Sequence, residues 1–329
     1  MSSTTRKIVL CPGQGAQAIG MGKAWFEASA EAREVFQEAD RVLAGRLPGA
    51  ASLSSLCFSG PADVLNRTDV SQPAIYTCSV ACWQALCARQ GASSPGEAGV
   101  AATAGLSLGE YTALHLAGTF SFRDGLELVT LRGRAMQEAA EAVPSGMVAL
   151  IGANEEQAVA VCERARGSEV LVPANFNAPG QIVISGSKAA CERAVGVAGG
   201  MGLRATALAV AGAFHSPIMA PAAERLSAAL ADTAMREPLT GPDGPIVVGS
   251  NVTGKAHSAD GFATICDSIR RRLVEQLQAP VRWSDGCQWL IARYPGAELN
   301  ELAPGKTLAG LMRRIDKAAK VINHDEPTA

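Results

Sequence analysis

The chain carries no excess of positive charge. Its 29 Lys and Arg face 31 Asp and Glu, a formal net charge of −2 with a pI near 6.1, so no global basic field favours nucleic acid as a partner. No stretch approaches the ~20 unbroken apolar residues that a membrane-spanning helix requires. The opening MSSTTRKIVLCPG has no long apolar segment ahead of a small-residue cleavage site. A cytoplasmic protein without a membrane partner is therefore expected. The nine cysteines are odd in number and contain no C-x-x-C pair, which suggests neither a disulfide framework nor a zinc site and points to reduced thiols. In that setting the N-x-T matches at Asn66 and Asn251 carry no glycosylation meaning. Internal repeats and low-complexity segments are missing as well. Histidine is scarce, with four in 329 residues, which narrows the search for a proton acceptor.

What is present is apolar residue in quantity. Hydrophobic residues make up 48% of the 329, enough for one large domain or a large and a small one. The chain opens with a strand (KIVLC), a glycine loop (PGQGAQ) and a helical stretch over about 22–43. A second helical run, QPAIYTCSVACWQALCARQ, repeats apolar residues at three- and four-residue steps. Next come a strand of small residues (GVAATAG), a helix opening at Ser107 and another helix, RDGLELVTLRGRAMQEAAEA.

From about residue 146 to 210 the pattern becomes β-α-β-β-α-β, the ferredoxin-like split motif. Longer helices then return, with a strand at PIVVGSN, a helix near 269–277 and a closing helix after APGKTL. The pattern predicts an α/β fold: a larger domain in two segments, 1–143 and 211–329, interrupted by a small ferredoxin-like subdomain over 144–210. The last residues, NHDEPTA, are expected to fray.

Candidate chemistry centres on Gly105-Leu-Ser107-Leu-Gly109, which fits G-x-S-x-G, the strand-turn-helix elbow that exposes a serine hydroxyl. The same serine begins S-x-x-E with Glu110, a capping box at a helix start. Both readings stand at this point. Of the four histidines, His324 lies in the tail and His257 in the polar loop GKAHSAD. His115 is eight residues along the helix from Ser107, too far to reach back. His215, in AGAFHSPIM, stands where Ser216 can cap a helix and Pro217 can open it, and elimination makes it the best general base.

The loop GQGAQA lacks the second strand and acidic residue of a dinucleotide fold, and GKT at 305–307 has Asn300 where a P-loop needs glycine. The loop's glycines would instead let backbone amides near Gln14 approach an oxyanion. Arg132, within an apolar helical stretch, reads either as a solvated surface cation or as a fork for a substrate carboxylate. Arg134 points the other way.

Taken together, CPGQGAQAIGMG, TDVSQPAIYT, GLSLGEYTAL, LRGRAMQ, ANFNAPGQIVISG, GAFHSPIM, EQLQAPVRW and LAPGKTL occur in one order over nearly the whole chain. The set resembles the malonyl-CoA:acyl carrier protein transacylases, the acyltransferase family of fatty-acid and polyketide synthesis. The resemblance implies an α/β-hydrolase-like core with a ferredoxin-like subdomain. It implies that Ser107 attacks the malonyl thioester, that His215 takes its proton, and that the backbone amides of Leu108 and Gln14 hold the oxyanion. Arg132 would grip the malonyl carboxylate and the main-chain carbonyl of Gln276 would orient His215. Asn175 and Asn177 would line the cleft, and Phe214 resembles the malonyl-preferring form of its motif.

The implied partners are coenzyme A thioesters and an acyl carrier protein, acting on a monomer with no metal or redox cofactor. Arg270, Arg271 and Arg272, or Arg313 and Arg314, are candidates for a basic carrier dock. Leu106 departs from the family's usual histidine before the nucleophile, and Ala303 from its usual glycine. Three other readings are a stand-alone polyketide acyltransferase, a serine hydrolase, and a carrier-binding homologue of impaired activity.

Overall fold

The computed structural model describes residues 5–327. Its strands are β1 (Lys7–Cys11), β2 (Val100–Gly105), β3 (Ser145–Ile151), β4 (Leu171–Ala178), β5 (Gln181–Ser187), β6 (Arg204–Ala207), β7 (Thr240–Gly241), β8 (Gly244–Pro245), β9 (Val247–Ser250), β10 (Lys255–Ala256), β11 (Glu298–Leu302) and β12 (Val321–His324). A six-stranded sheet runs β10-β9-β2-β1-β11-β12, parallel throughout except for the antiparallel edge strand β10. The centre of this sheet is covered on both sides, which is why its strands read as unbroken apolar or small-residue runs. In β1 the alternation sends Val9 and Cys11 into one buried cluster and Ile8 and Leu10 into another.

The larger cluster is built on the helix Thr68–Gln90, with seventeen buried side chains, and on Phe122–Ala142 packed against it. A separate four-stranded antiparallel sheet, β4-β5-β3-β6, carries the helices Glu155–Arg166 and Lys188–Gly200 and encloses an apolar cluster of its own. The chain order β-α-β-β-α-β is the one read from the sequence. Among the described residues no helix is long and apolar enough to cross a membrane.

Three local expectations change. The stretch over 22–43 is two helices, Lys23–Ala28 and Ala30–Val42, because Ser29 turns extended and its hydroxyl accepts the Ala32 N–H at the start of the second. The run read from Gln72 starts earlier, at Thr68, and takes Pro73 inside it. The tail is held where it is described: Val321–His324 extends the main sheet beside β11, the His324 carbonyl accepts from Trp25 Nε1 at 3.0 Å, and its ring Nε2 meets Asn300 Oδ1 at 2.8 Å, while Thr328 and Ala329 lie outside the described residues.

Candidate active site

Ser107 sits between β2 and the helix Gly109–Leu116 with φ at +53°, a left-handed conformation that costs a non-glycine residue roughly 1 kcal/mol or more. Its flanking glycines are required by contact. A side chain at Gly105 would overlap the Gly109 backbone, one at Gly109 the Cys11 carbonyl, and one at Gly13 the Leu106 carbonyl. That last approach lays the loop after β1 against the elbow. The strained peptide is held at both ends, since the Ser107 N–H donates to Asn251 Oδ1 at 2.6 Å and the Ser107 carbonyl accepts from Gln276 Nε2 at 3.0 Å. Ser107 Oγ does not cap the helix. It lies 2.9 Å from His215 Nε2, so the hydroxyl faces an imidazole at the tip of the elbow.

His215 is buried, and its Nδ1 lies 2.7 Å from the main-chain carbonyl of Gln276. A carbonyl can only accept, so Nδ1 carries the proton and Nε2 is left with a lone pair aimed at Ser107. Burial, and then the charge of Arg132, push the imidazole down to about 4, against which the Gln276 carbonyl works. The imidazole is thus neutral across the physiological range.

Two pH effects follow from that value. Single-turnover acylation of Ser107 is expected to fall with a midpoint near pH 4, and a midpoint near 6.5 would contradict the geometry. Because the folded value lies below the unfolded one of about 6.5, the group contributes stability above pH 6.5 that is lost as pH falls through 4. The loss is on the order of 3 kcal/mol and should be absent from His215→Asn in paired thermal melts.

Arg132, on the helix Phe122–Ala142, is 1% exposed, so the surface reading is wrong for it and right for Arg134, whose side chain is 71% exposed and pairs with Glu138. The next residue is Gly133, where any side chain would press on the Thr68 carbonyl, so the helix packs closely at this point. The guanidinium donates to Gln72 Oε1 (2.7 Å), Gln276 Oε1 (2.9 Å) and Ser107 Oγ (3.1 Å), and lies over the Tyr111 ring at 5.4 Å. Among the described residues its Nε has no partner and no carboxylate is bonded to it. Burial lowers its pKa, an effect that Tyr111 and Glu110 offset. A buried cation held by neutral acceptors alone keeps its charge available to an anionic group.

Ser107 and His215 open into a cavity of about 360 Å³ whose lining includes Gln14, Leu106, Asn175, Asn177 and Phe214. The structure thus brings these sequence-predicted residues together. Gln14 is anchored by its side chain to Thr68 Oγ1 at 3.3 Å, and Asn177 Oδ1 is buried without a partner among the described residues. Leu108 buries its side chain in the core while its backbone adopts helical angles at the helix start. Of the candidate dock residues, Arg270 is spent on the Leu230 and Thr233 carbonyls and Arg272 on Glu275, while Arg271, Arg313 and Arg314 are exposed. None of the five lines the cavity.

Four side chains of the site escaped sequence reading. Gln72 holds Arg132, and Asn251, dismissed as a sequon, holds the elbow by Ser107 N and by Nδ2 to the Gly105 carbonyl at 2.7 Å. Glu110 and His257 form a buried pair at 2.7 Å, which corrects both the capping role of Glu110 and the polar-loop placement of His257. Asn251 follows a strand next to β2, and the carboxyl ends of parallel strands are where sites form. That position was the available signal.

Residues 8–268 match the acyl transferase domain family. The malonyl CoA-acyl carrier protein transacylase of Salmonella typhimurium is 38% identical over 320 residues, 97% of this chain and 95% of its own, and that of Bacillus subtilis is 38% identical over 97% and 93%. The crystal structure of the malonyl-CoA:acyl carrier protein transacylase of Xanthomonas oryzae superposes with a TM-score of 0.86 at 40% identity, covering 99% of this chain and 96% of that one. A malonyl-transacylase in complex with a type II PKS acyl-carrier protein gives 0.85 at 34% identity, over 98% and 97%. A mixed α/β fold around a parallel sheet together with the matched domain defines an acyltransferase. The chain belongs to that acyltransferase family, among its malonyl-CoA:acyl carrier protein transacylases.

Proposed function

We propose that this chain transfers a malonyl group from malonyl-CoA to the phosphopantetheine thiol of an acyl carrier protein, in fatty-acid biosynthesis, through an acyl-enzyme on Ser107. One observation carries the reading: a serine hydroxyl bonded at once to a neutral imidazole and to a buried arginine that lacks a carboxylate partner. As Oγ attacks the thioester carbonyl, its proton passes to His215 Nε2, and the Gln276 carbonyl steadies the imidazolium that forms. The Leu108 N–H, at a helix start, and the Gln14 N–H receive the oxyanion. Collapse expels the CoA thiolate, which takes the proton from His215. The carrier thiol then repeats the steps in reverse.

Arg132 holds the malonyl carboxylate, Phe214 walls the acyl pocket, and Asn175 and Asn177 guide the pantetheine arm from the small sheet. The chemistry needs a nucleophile, a base and oxyanion donors, so no metal or redox cofactor enters. The strand order β4-β5-β3-β6 supports a ferredoxin-like subdomain over 144–210 inserted in an α/β-hydrolase-like core of 1–143 and 211–329. We place the protein in the cytoplasm, in keeping with nine free, buried thiols, and as a monomer.

Intact-mass measurement after mixing with malonyl-CoA is expected to show one malonyl adduct that a holo carrier protein removes. An unchanged mass overturns the reading, and release of free malonate without carrier would make the protein a hydrolase. A stand-alone polyketide acyltransferase is favoured by one observation, the superposition on the complex with a type II PKS carrier. A clear preference for a polyketide carrier over a fatty-acid carrier would decide for it.

A further inference from the structure

Glu110 is the least explained charge in the molecule. It lies three residues past the nucleophile, is fully buried, and reaches neither the cavity nor the reacting atoms. Its Oε1 is bonded to His257 Nε2 at 2.7 Å, and its Oε2 accepts from Gln276 Nε2 at 2.7 Å and from the Asn251 N–H at 3.2 Å. Those last two residues are the ones that grip the Ser107 peptide. The amide of Gln276 is therefore oriented by charge at both ends. A carboxylate demands its NH2, and the Arg132 guanidinium, 2.9 Å from Oε1, demands its oxygen.

The arrangement answers a difficulty that a buried substrate-binding cation poses. A direct ion pair would quench Arg132 and compete with the substrate. A cation with no counter-charge would be expensive to bury. A carboxylate one amide away offsets the burial and leaves the guanidinium held by neutral acceptors alone, which an incoming anion outcompetes.

Building on the malonyl-transfer reading, we infer that Glu110, locked by His257 and acting through the side chain of Gln276, is a positioning residue for acyl selectivity. Gln276 then has separable backbone and side-chain duties: its carbonyl serves the base, while its side chain serves the arginine and also holds the Ser107 carbonyl, a grip common to both acyl substrates. In Glu110→Gln the carboxylate is replaced by an isosteric amide that cannot dictate which end of Gln276 faces Arg132. In Gln276→Met the backbone duty survives and the side-chain duty is lost.

The test compares acylation rates of the full-length protein with malonyl-CoA and with acetyl-CoA, by quenched intact mass, in wild type, both single variants and the double variant. Each single variant should lower the malonyl-to-acetyl ratio about tenfold, close to 1.4 kcal/mol. The double variant should fall no further than Gln276→Met, because Glu110 acts through that side chain. Equal losses on both substrates would reduce Glu110 to a structural role and overturn the inference, as would multiplicative losses in the double variant. Should Glu110→Gln fail to fold, Gln276→Met alone decides, since an unchanged ratio there removes the relay. A wild type that takes no malonyl adduct sinks the function itself, whereas an intact wild-type preference with unmoved variants sinks only this inference.

Discussion

Ser107→Ala is expected to lower malonyl transfer on the order of 10⁴-fold, with no acyl adduct in the intact mass and with malonyl-CoA binding retained. In the proposed mechanism the hydroxyl is the atom that forms the covalent bond, and among the described residues no other nucleophilic side chain shares the chain of contacts running from His215 to the Gln276 carbonyl. The scaffold should survive the change. The left-handed backbone is no worse for alanine than for serine, and the grips on the Ser107 peptide come from Asn251 and Gln276 through main-chain atoms that alanine keeps. Arg132 loses one of three acceptors and keeps Gln72 and Gln276. Stability should therefore change by about 1 kcal/mol or less, as surface-accessible polar truncations do. A helix cap behaves in the opposite way: its loss costs about 1 kcal/mol and leaves the chemistry untouched. Chemical denaturation and single-turnover transfer, run on the same preparation, separate the two. Residual transfer within tenfold of wild type would return the serine to a cap.

What could be seen in the sequence was what short-range contact dictates. Gly105 and Gly109 are fixed by their own overlap and by the Cys11 carbonyl, so the pentapeptide announces the elbow. His215 emerged because three other histidines could be excluded, although the exclusion of His257 rested on the wrong surroundings: its loop is polar, yet its ring is buried on Glu110. The burial of Arg132 was not legible. Its helix carries Arg134 two residues on, and which of the two faces inward depends on packing against Thr68–Gln90. The network around Glu110 joins residues 141 to 166 positions apart, through single hydrogen bonds that leave no period in the chain. The strand at 321–324 was missed for the same reason, since its partner β11 fixes it and its own four residues do not. Conversely, the β-α-β-β-α-β order needed only local periodicity, and it was read with its elements in place.

The use of a backbone carbonyl behind His215 fits the same electrostatic logic as the indirect counter-charge on Arg132. A carboxylate at that position would sit close to a guanidinium 3.1 Å from the nucleophile and would claim it. The carbonyl fixes the tautomer without adding negative charge, so the only strong claim left on Arg132 is the one a substrate brings. The imidazole and the guanidinium thus share no counter-charge, and what couples them is the positive field of Arg132 at His215.

The absence of a carboxylate on Arg132 sets the outcome for Arg132→Ala. Malonyl transfer is expected to fall on the order of 10²- to 10³-fold in kcat/KM, since a bidentate, charge-assisted contact in a dry site contributes about 3 to 4 kcal/mol. Acetyl-CoA has no carboxylate to lose, so its rate should hold or rise, and the preference between the two substrates should collapse. The variant should also move the pH profile. Removing the arginine takes away the second-largest influence that holds His215 down near 4, so the acylation midpoint rises toward the ordinary imidazole value while burial keeps it below. Arg132→Lys separates charge from shape: it retains the positive field and the low midpoint, yet it lacks the planar fork and should recover only part of the malonyl preference. Competition between malonyl-CoA and acetyl-CoA, read by adduct mass across pH, measures both effects in one experiment. If Arg132→Ala leaves the preference intact, the guanidinium is a structural cation bridging Gln72 and Gln276. If the preference collapses with an unmoved midpoint, Arg132 selects the acyl group without acting on the base.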